Sequence, residues 1–483
     1  MKKMRNIMSE SVKQVSWSWI DENADRLIEI SDEIWGYAEL GFTEFKSSKL
    51  MAEELEHHGF SVERGVADIP TAFVGTYGKG RPVIGVMGEF DALFGLSQKA
   101  VPYKEPIEEG APGHGCGHNI HGTSGLGGAL AVRYAMEREG VQGTIKFFGC
   151  PAEEMLSGKI WMVRGGVFDG VDACISHHPG VVNTADLMSC NACKTVKFEF
   201  HGKSAHAAGS PEQGRSALDA VELMNVGVNF LREHIIEKAR IHYVIEDGGG
   251  QPNVVPDYAL SSYYVRAPEM DQLEPIYERV VKIAEGATLM TETTVDVQFV
   301  KCSYNLVPNR AISEAIVANM KKIGAPEYTE EELEFARKIG GTIPRQAKVN
   351  LLRRYRMPDW ESYLEKEVLR EIFDPMFEGE SSAGSTDVGD VSWKAPTVEF
   401  GTATWVLGTP AHSWQAVAQG ASGLSHKSLL FAAKTIAGTA LDLMTDPEML
   451  KRAQDEHRER LGDRKYKSAV PPGSKPLLEH WKR

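Results

Sequence analysis

The run Gly113-His114-Gly115-Cys116-Gly117-His118-Asn119 sets one thiol and two imidazoles in a frame of glycines, directly before a helix-like segment. Glycine lets the backbone turn tightly enough to aim several side chains at one point. Cys116 and His118 stand two apart, close enough to ligate one transition metal ion or two neighbouring ones. Read alone, the pair fits a buried cysteine beside a core histidine equally well. His114 and His121 are weaker candidates, and His121 suits a supporting position or a helix cap better than ligation.

Other signals lie downstream. Glu153-Glu154 follow a strand-like run and the turn Gly149-Cys150-Pro151-Ala152. Adjacent carboxylates at the end of a buried strand repel each other unless something compensates. A metal held by one, with the other free as general base, is one solution, and a solvated helix start is another. In His177-His178-Pro179, one of two consecutive strand residues points inward and proline keeps its predecessor extended, which selects His178. His412 sits in the turn Thr409-Pro410-Ala411-His412-Ser413, before a helix. Elsewhere, Gly202-Lys203-Ser204-Ala205-His206-Ala207 places His206 at a turn after a strand, Asn253 lies between two strands, and Arg266 ends the second. A histidine, an amide and a guanidinium could polarise a carbonyl and grip a carboxylate. Cys190 and Cys193 form a C-x-x-C with no second half and read as structural.

The elements that must position these residues follow an α/β pattern. Helical spacing runs through 18–37 and 44–58, the latter stopping at Gly59. Near-continuous apolar runs at 82–87 and 144–148 predict strands buried on both faces, 173–176 predicts another, and 123–137 reads as a helix rich in small residues. Asp91, Glu153 and His178 each follow a strand-like run, where ligands gather in such folds. Near Ser189 the pattern changes. An alternating strand around Val196, Phe198 and Phe200 is followed by a helix at 216–238, strands at 240–245 and 259–265, a helix at 270–290 and a strand at 294–300. This βαββαβ order predicts a ferredoxin-like α+β unit. The expected organisation is therefore a catalytic domain over 1–189 and 303–483, interrupted by a small domain over 190–302. The stretch 330–380 reads as a charged, partly helical, solvated insertion, 425–443 as a final helix, and the tail after Asp446 as surface.

A length of 483 residues exceeds one ordinary core. The net charge of −14 leaves no basic surplus to neutralise phosphates, which excludes a general nucleic-acid binder. No apolar run follows the basic N-terminal residues, and none approaches the ~18 residues of a membrane span. Six cysteines in so long a chain make no disulfide framework. The expectation is a cytoplasmic enzyme with no nucleic-acid or membrane partner.

With these motifs the sequence resembles the M20 metallopeptidase family, in the amidohydrolase branch that carries Cys-Gly-His at its metal. The resemblance rests on Gly88-Glu89-Phe90-Asp91-Ala92-Leu93, Cys116-Gly117-His118-Asn119, Pro151-Ala152-Glu153-Glu154, the run at 202–207, Asn253-Val254-Val255-Pro256 and His412-Ser413. It implies an α/β catalytic domain with a central sheet and an inserted lid that also dimerises. It implies Cys116, His118, Glu154, His178 and His412 as ligands of a manganese or zinc pair. Glu153 would be the general base toward the attacking water, and Asp91 would orient a ligand. His206 would reach a neighbouring subunit's active site and steady the oxyanion, while Asn253 and Arg266 would contact substrate, Arg266 at the substrate's free carboxylate. By the same analogy the turn Asp387-Val388-Gly389-Asp390 lies near the site.

The implied activity is hydrolysis of the amide bond of an N-acyl amino acid by a homodimer. The foremost substrate is an aromatic acyl-glutamate such as p-aminobenzoyl-glutamate. Amides of the indoleacetyl-aspartate type, small dipeptides, and a non-catalytic role beside a homologous A-type subunit are the alternatives. Two departures bear on the pocket. Asn119 replaces the Asp of many relatives, pointing to the acyl-glutamate subgroup, and Met155-Leu156 replace two glycines after the glutamate pair.

Overall fold

The computed structural model describes residues 2–357, 359–476 and 478. The two long apolar runs form the centre of a six-stranded sheet. Its spatial order is Ser61–Arg64, Phe73–Lys79, Gly143–Cys150, Val83–Glu89, Ala173–Gly180 and Thr397–Ala403. The first three pair antiparallel, and the last four are mutually parallel. Asp91, Glu153, Glu154 and His178 lie at or just beyond the carboxyl ends of these parallel strands. His412 follows the last of them by a short loop.

Parallel strands need both faces covered. Helix His118–Glu139 covers one face and is buried along most of its length. Its small residues explain how. A Cβ on Gly122 would lie 2.5 Å from the Glu89 carbonyl oxygen, and one on Gly125 would lie 2.7 Å from that of Met87. On its far side, a Cβ on Gly128 would lie 2.5 Å from Ile436 of helix Gly423–Thr445. Glycine therefore lets one helix ride on a strand and under another helix at once, with His118 as its first residue.

The chain divides into two compact units. The first runs to Met188 and adds Val307–Glu380 and Val391–Tyr466; the second gathers Ser189–Leu306, Ser381–Asp390 and the stretch from Lys467. In the second unit, four strands lie in the order Thr294–Ser303, Ala192–His201, Tyr258–Ala267 and Arg240–Asp247, all antiparallel. Helices Ala217–Leu231 and Met270–Thr291 pack on the sheet, so the βαββαβ expectation is borne out as a ferredoxin-like fold.

Four local readings change. The helix expected over 216–238 ends at Leu231 and is followed by a short 3-10 turn, Arg232–His234. The helix expected over 18–37 is two helices, Lys2–Glu22 and Ala24–Tyr37. Asn23 sits at the break, donating its Nδ2 to the Trp19 carbonyl at 2.8 Å. The tail after Asp446 begins as a helix, Pro447–Leu461, with Met449, Ala453 and His457 buried. Asp446 caps it, accepting from the backbone of Glu448 and Met449, and Pro447 occupies the first turn. The 330–380 stretch is not merely solvated. Its helices Glu330–Gly341 and Arg345–Arg354 bury Ala336, Ile339, Val349 and Leu352 in clusters shared with Trp405, Val406 and Leu407, on the segment leading to His412.

The close approach of helix to strand gives a test by denaturant unfolding. Gly125→Ala gains helix propensity but drives a methyl against the Met87 carbonyl, so it should lose about 1–3 kcal/mol. Gly36→Ala, where a Cβ would meet nothing, should be neutral or gain up to about 1 kcal/mol.

Candidate metal centre

On the first unit, side chains from distant parts of the chain converge on Cys116, which is 8% exposed. The ligand atoms of Cys116, His118 and His178 all lie within 4.8 Å of one another, and so do those of Cys116, Glu154 and His412. The two triads share the Cys116 sulfur, so this thiolate would stand among the donors of two ions. A third group, Glu89, His118 and Glu153, meets the same spacing.

Hydrogen bonds orient these donors. Asp91 Oδ1 lies 2.8 Å from His118 Nδ1, and Asp91 Oδ2 accepts the Glu154 backbone N–H at 2.9 Å. With Nδ1 engaged, His118 Nε2 is the free ring nitrogen; it is buried without a hydrogen-bond partner, as is Glu154 Oε1. His178 Nδ1 donates to the Pro179 carbonyl at 2.9 Å, which leaves Nε2 as a lone pair 3.4 Å from Cys116 Sγ. His412 Nε2 lies 3.4 Å from Glu154 Oε2.

By their own charges these side chains frustrate one another. Burial, the Cys116 thiolate and Asp91 push Glu154 up to about 9. Burial opposes ionisation of Cys116, yet His178 and His118 outweigh it and hold the thiol well below its ordinary value. Burial likewise opposes charge on His118 and His178, but Cys116 lifts both well above theirs, with Asp91 adding to His118. A divalent cation relieves this, because thiolate, carboxylate and neutral imidazoles all become ligands together. The orphaned His118 Nε2 and Glu154 Oε1 fit such an ion.

Glycines permit the convergence. Gly117 has φ 75°, and a Cβ there would lie 3.0 Å from Trp405 and 3.1 Å from Pro179. A Cβ on Gly115 would lie 2.5 Å from Leu96 and 3.2 Å from the Cα of His412, whose N–H donates to the Gly115 carbonyl at 3.0 Å. His412 itself adopts φ 55°, a left-handed conformation that costs a histidine free energy.

The neighbouring candidates resolve differently. His177 lies 2.8 Å from Ser124 Oγ and 2.7 Å from Thr402 Oγ1, apart from the cluster. His114 bonds the Ile34 carbonyl, and burial pushes it down to about 4. Asn119 gives its amide N–H groups to Ser31 and Gly420, tying the helix to its surroundings rather than addressing a ligand. Met155 packs beside Gly41, where a Cβ would lie 3.1 Å from its sulfur.

Sequence reasoning missed Glu89, Lys159 and Glu44. Fully buried Glu89 ends its strand; Oε1 is 2.7 Å from Lys159 Nζ, and Oε2 is 3.3 Å from both His118 and His121. His121 Nδ1 accepts the Glu89 N–H at 3.0 Å, so its proton sits on Nε2, toward Glu89 and Ser176. That is a supporting position, not a helix cap. Glu44 accepts from the Ala152 N–H at 2.8 Å and the Thr71 hydroxyl at 2.9 Å, bracing the turn before Glu153; burial and Asp91 push it up to about 8. The available signal was Glu89 itself, a carboxylate ending an otherwise apolar strand.

Within the second unit, His206 and Asn253 come together and Arg266 stands apart. His206 bridges Val254, and the Ala207 N–H donates to the Asn253 carbonyl at 3.0 Å. His206 Nδ1 accepts from the backbone of Ala208 and Gly209 at 3.2 and 3.1 Å, so Nε2 carries the proton. Arg266 pairs in register with Cys193, whereas the His206 loop follows the His201–Tyr258 end of the same strands. At ~3.3 Å per residue the two ends are roughly 25 Å apart. The 387–390 turn also belongs to this unit, with Asp390 accepting the Tyr304 N–H at 3.0 Å.

Comparison with known proteins agrees with this architecture. The sequence profile of Peptidase family M20/M25/M40 matches residues 85–442. The B-type subunit of the p-aminobenzoyl-glutamate hydrolase of Escherichia coli (strain K12) is 43% identical over 470 residues, covering 95% of this chain and 97% of that one. A Xaa-Arg dipeptidase of Mus musculus is 29% identical over 457 residues, 93% of each chain. Among solved structures, an aminobenzoyl-glutamate utilization protein from Klebsiella pneumoniae shares the fold with a TM-score of 0.59 at 18% identity, covering 88% of this chain and 97% of that one. With a profile across most of its length and a relative matching nearly all of it, the chain belongs to peptidase family M20/M25/M40.

Proposed function

We propose that this protein is a metal-dependent amidohydrolase cleaving the amide bond of an N-acyl amino acid, foremost an aromatic acyl-glutamate. The observation that carries this reading is the pair of donor triads sharing Cys116, with Glu153 beside them. The 43% identity to one of the two subunit types of a p-aminobenzoyl-glutamate hydrolase supports the substrate class. Cys116, His118, Glu154, His178 and His412 would hold two divalent ions, manganese or zinc. When bound, such a pair polarises an amide carbonyl and makes a water acidic enough to ionise near neutral pH.

The chain's own groups do the rest. Glu153, with Oε2 3.9 Å from His118 Nε2, takes the proton of the attacking water and delivers it to the leaving nitrogen. Asp91 holds His118 and the Glu154 backbone in place. The outward Nε2–H of His206 donates to the developing oxyanion, Asn253 contacts the substrate, and Arg266 grips the free carboxylate. No described helix is long and apolar enough to cross a membrane, and the cysteines are free, which supports a reducing cytoplasm.

A homodimer through the second unit fits its surface. Helix Ala217–Leu231 exposes Leu223, Val226 and Phe230 along one face, Phe230 at 70%. Among the described residues, strand Arg240–Asp247 pairs on one side only, and it exposes Val244 and Ile245. An apolar stripe beside an unpaired strand edge is the kind of surface a second copy covers. The separation of His206 from Arg266 suits a site to which two copies contribute opposite ends of this sheet.

Two outcomes test this reading. Glu153→Ala should lower turnover of p-aminobenzoyl-glutamate by about 10²–10⁴-fold while metal content, read by mass spectrometry, stays unchanged; near-normal turnover would sink the assignment. Phe230→Glu should give a monomer by light scattering and lose activity together with the dimer. A fully active monomer would remove the second copy from the mechanism.

A further inference from the structure

On the second unit, two cationic side chains stand together without a carboxylate. Strand register sets Ser303, Cys193 and Arg266 in one cross-strand row and Lys301, Thr195 and Tyr264 in the next. Paired residues point to the same face of a sheet, and rows two residues apart share that face. The apolar side chains of Val196, Phe198 and Val265 occupy the other. Tyr264 spaces the two charges: the Arg266 guanidinium carbon lies 5.3 Å and Lys301 Nζ 5.6 Å from its ring centroid.

Among the described residues neither cation forms an ion pair. Arg266 Nη1 reaches the Ala383 carbonyl only at 3.4 Å, and its Nε is buried without a partner. The hydroxyls of Thr195 and Ser303 are also buried and unpartnered, in residues 7% and 1% exposed. Buried polar groups are normally satisfied. Two orphaned hydroxyls in two adjacent rows, beside two cations without an ion pair, one of them with an orphaned Nε–H, fit negative charge.

We propose that Lys301, with the hydroxyls of Thr195 and Ser303, forms a second anion position beside Arg266. This unit then reads both carboxylates of an acyl-glutamate or acyl-aspartate. The inference rests on the amidohydrolase reading: Arg266 takes the α-carboxylate and Lys301 the side-chain carboxylate. An uncharged side chain leaves Lys301 and two buried hydroxyls unpaired, so the site discriminates by what it fails to satisfy. Lys301 is a specificity residue and takes no part in bond breaking.

The test is steady-state kinetics of the metal-loaded full chain on p-aminobenzoyl-glutamate and p-aminobenzoyl-glutamine. Lys301→Met should raise KM for the glutamate substrate about tenfold or more, with kcat held within about twofold. On the glutamine substrate kcat/KM should change less than about twofold, and Lys301→Arg should restore most of the preference. Equal losses on both substrates, or none on acyl-glutamate, overturn the proposal. If Lys301→Met loses its circular dichroism signature, the double variant Thr195→Val, Ser303→Ala should reduce the same preference, and an unchanged preference there overturns it too. If the wild type cleaves neither amide, the amidohydrolase reading fails separately. Calorimetric titration with N-acetyl-glutamate and N-acetyl-glutamine then decides. Tighter binding of the glutamate derivative, lost in Lys301→Met, supports the anion position; equal affinities refute it.

Discussion

One buried sulfur atom shared by two sets of donors is the constraint on which the first unit is organised. Cys116 must meet His118 and His178 on one side and Glu154 and His412 on the other. These donors come from different carboxyl ends of one sheet and from the loop beyond its last strand. Removing a partner of buried Cys116 or His118 leaves that group's charge uncompensated. The surrounding structure shows what holds them. Helix His118–Glu139 sits close enough to its strand only because Gly122 and Gly125 have no side chain. His412 keeps a left-handed backbone against Gly115. Asp91 fixes one imidazole and one peptide N–H with its two oxygens.

The second unit follows a different logic. Its sheet closes one face with helices and keeps mostly polar and charged side chains on the other, with different groups at its two ends. His206 and Asn253 are joined at one end by backbone hydrogen bonds, and Arg266, Tyr264 and Lys301 cluster at the other. A small antiparallel sheet holds these two groups of side chains at a fixed separation.

Much of this was legible in the sequence because the signals were periodic or punctuated. Apolar runs between glycines became the buried parallel strands, and the alternation at Val196, Phe198 and Phe200 became a one-sided strand. The choice of His178 over His177 follows from strand alternation, and the structure places His178 at Cys116 and His177 against Ser124 and Thr402. What escaped was non-periodic or long-range. Glu89 and Lys159 find each other across about seventy residues, and no local pattern announces a buried ion pair. The packing of 330–380 was hidden by its charge: Ala336 and Ile339 are spaced for one helix face but sit among six acidic and basic neighbours from Glu330 to Lys338. Asn119 marked the subgroup by resemblance, and the 43% identity to a subunit of that subgroup agrees; its structural bonds to Ser31 and Gly420 were not legible in the sequence.

The most direct test is the number of divalent ions bound per chain, measured by mass spectrometry on the purified protein after reloading and exhaustive dialysis. Two ions per wild-type chain are expected, with Cys116→Ala losing both and His412→Ala losing one. A wild-type chain that binds a single ion, or a Cys116→Ala variant that still binds two, would contradict a shared thiolate at the centre of the site.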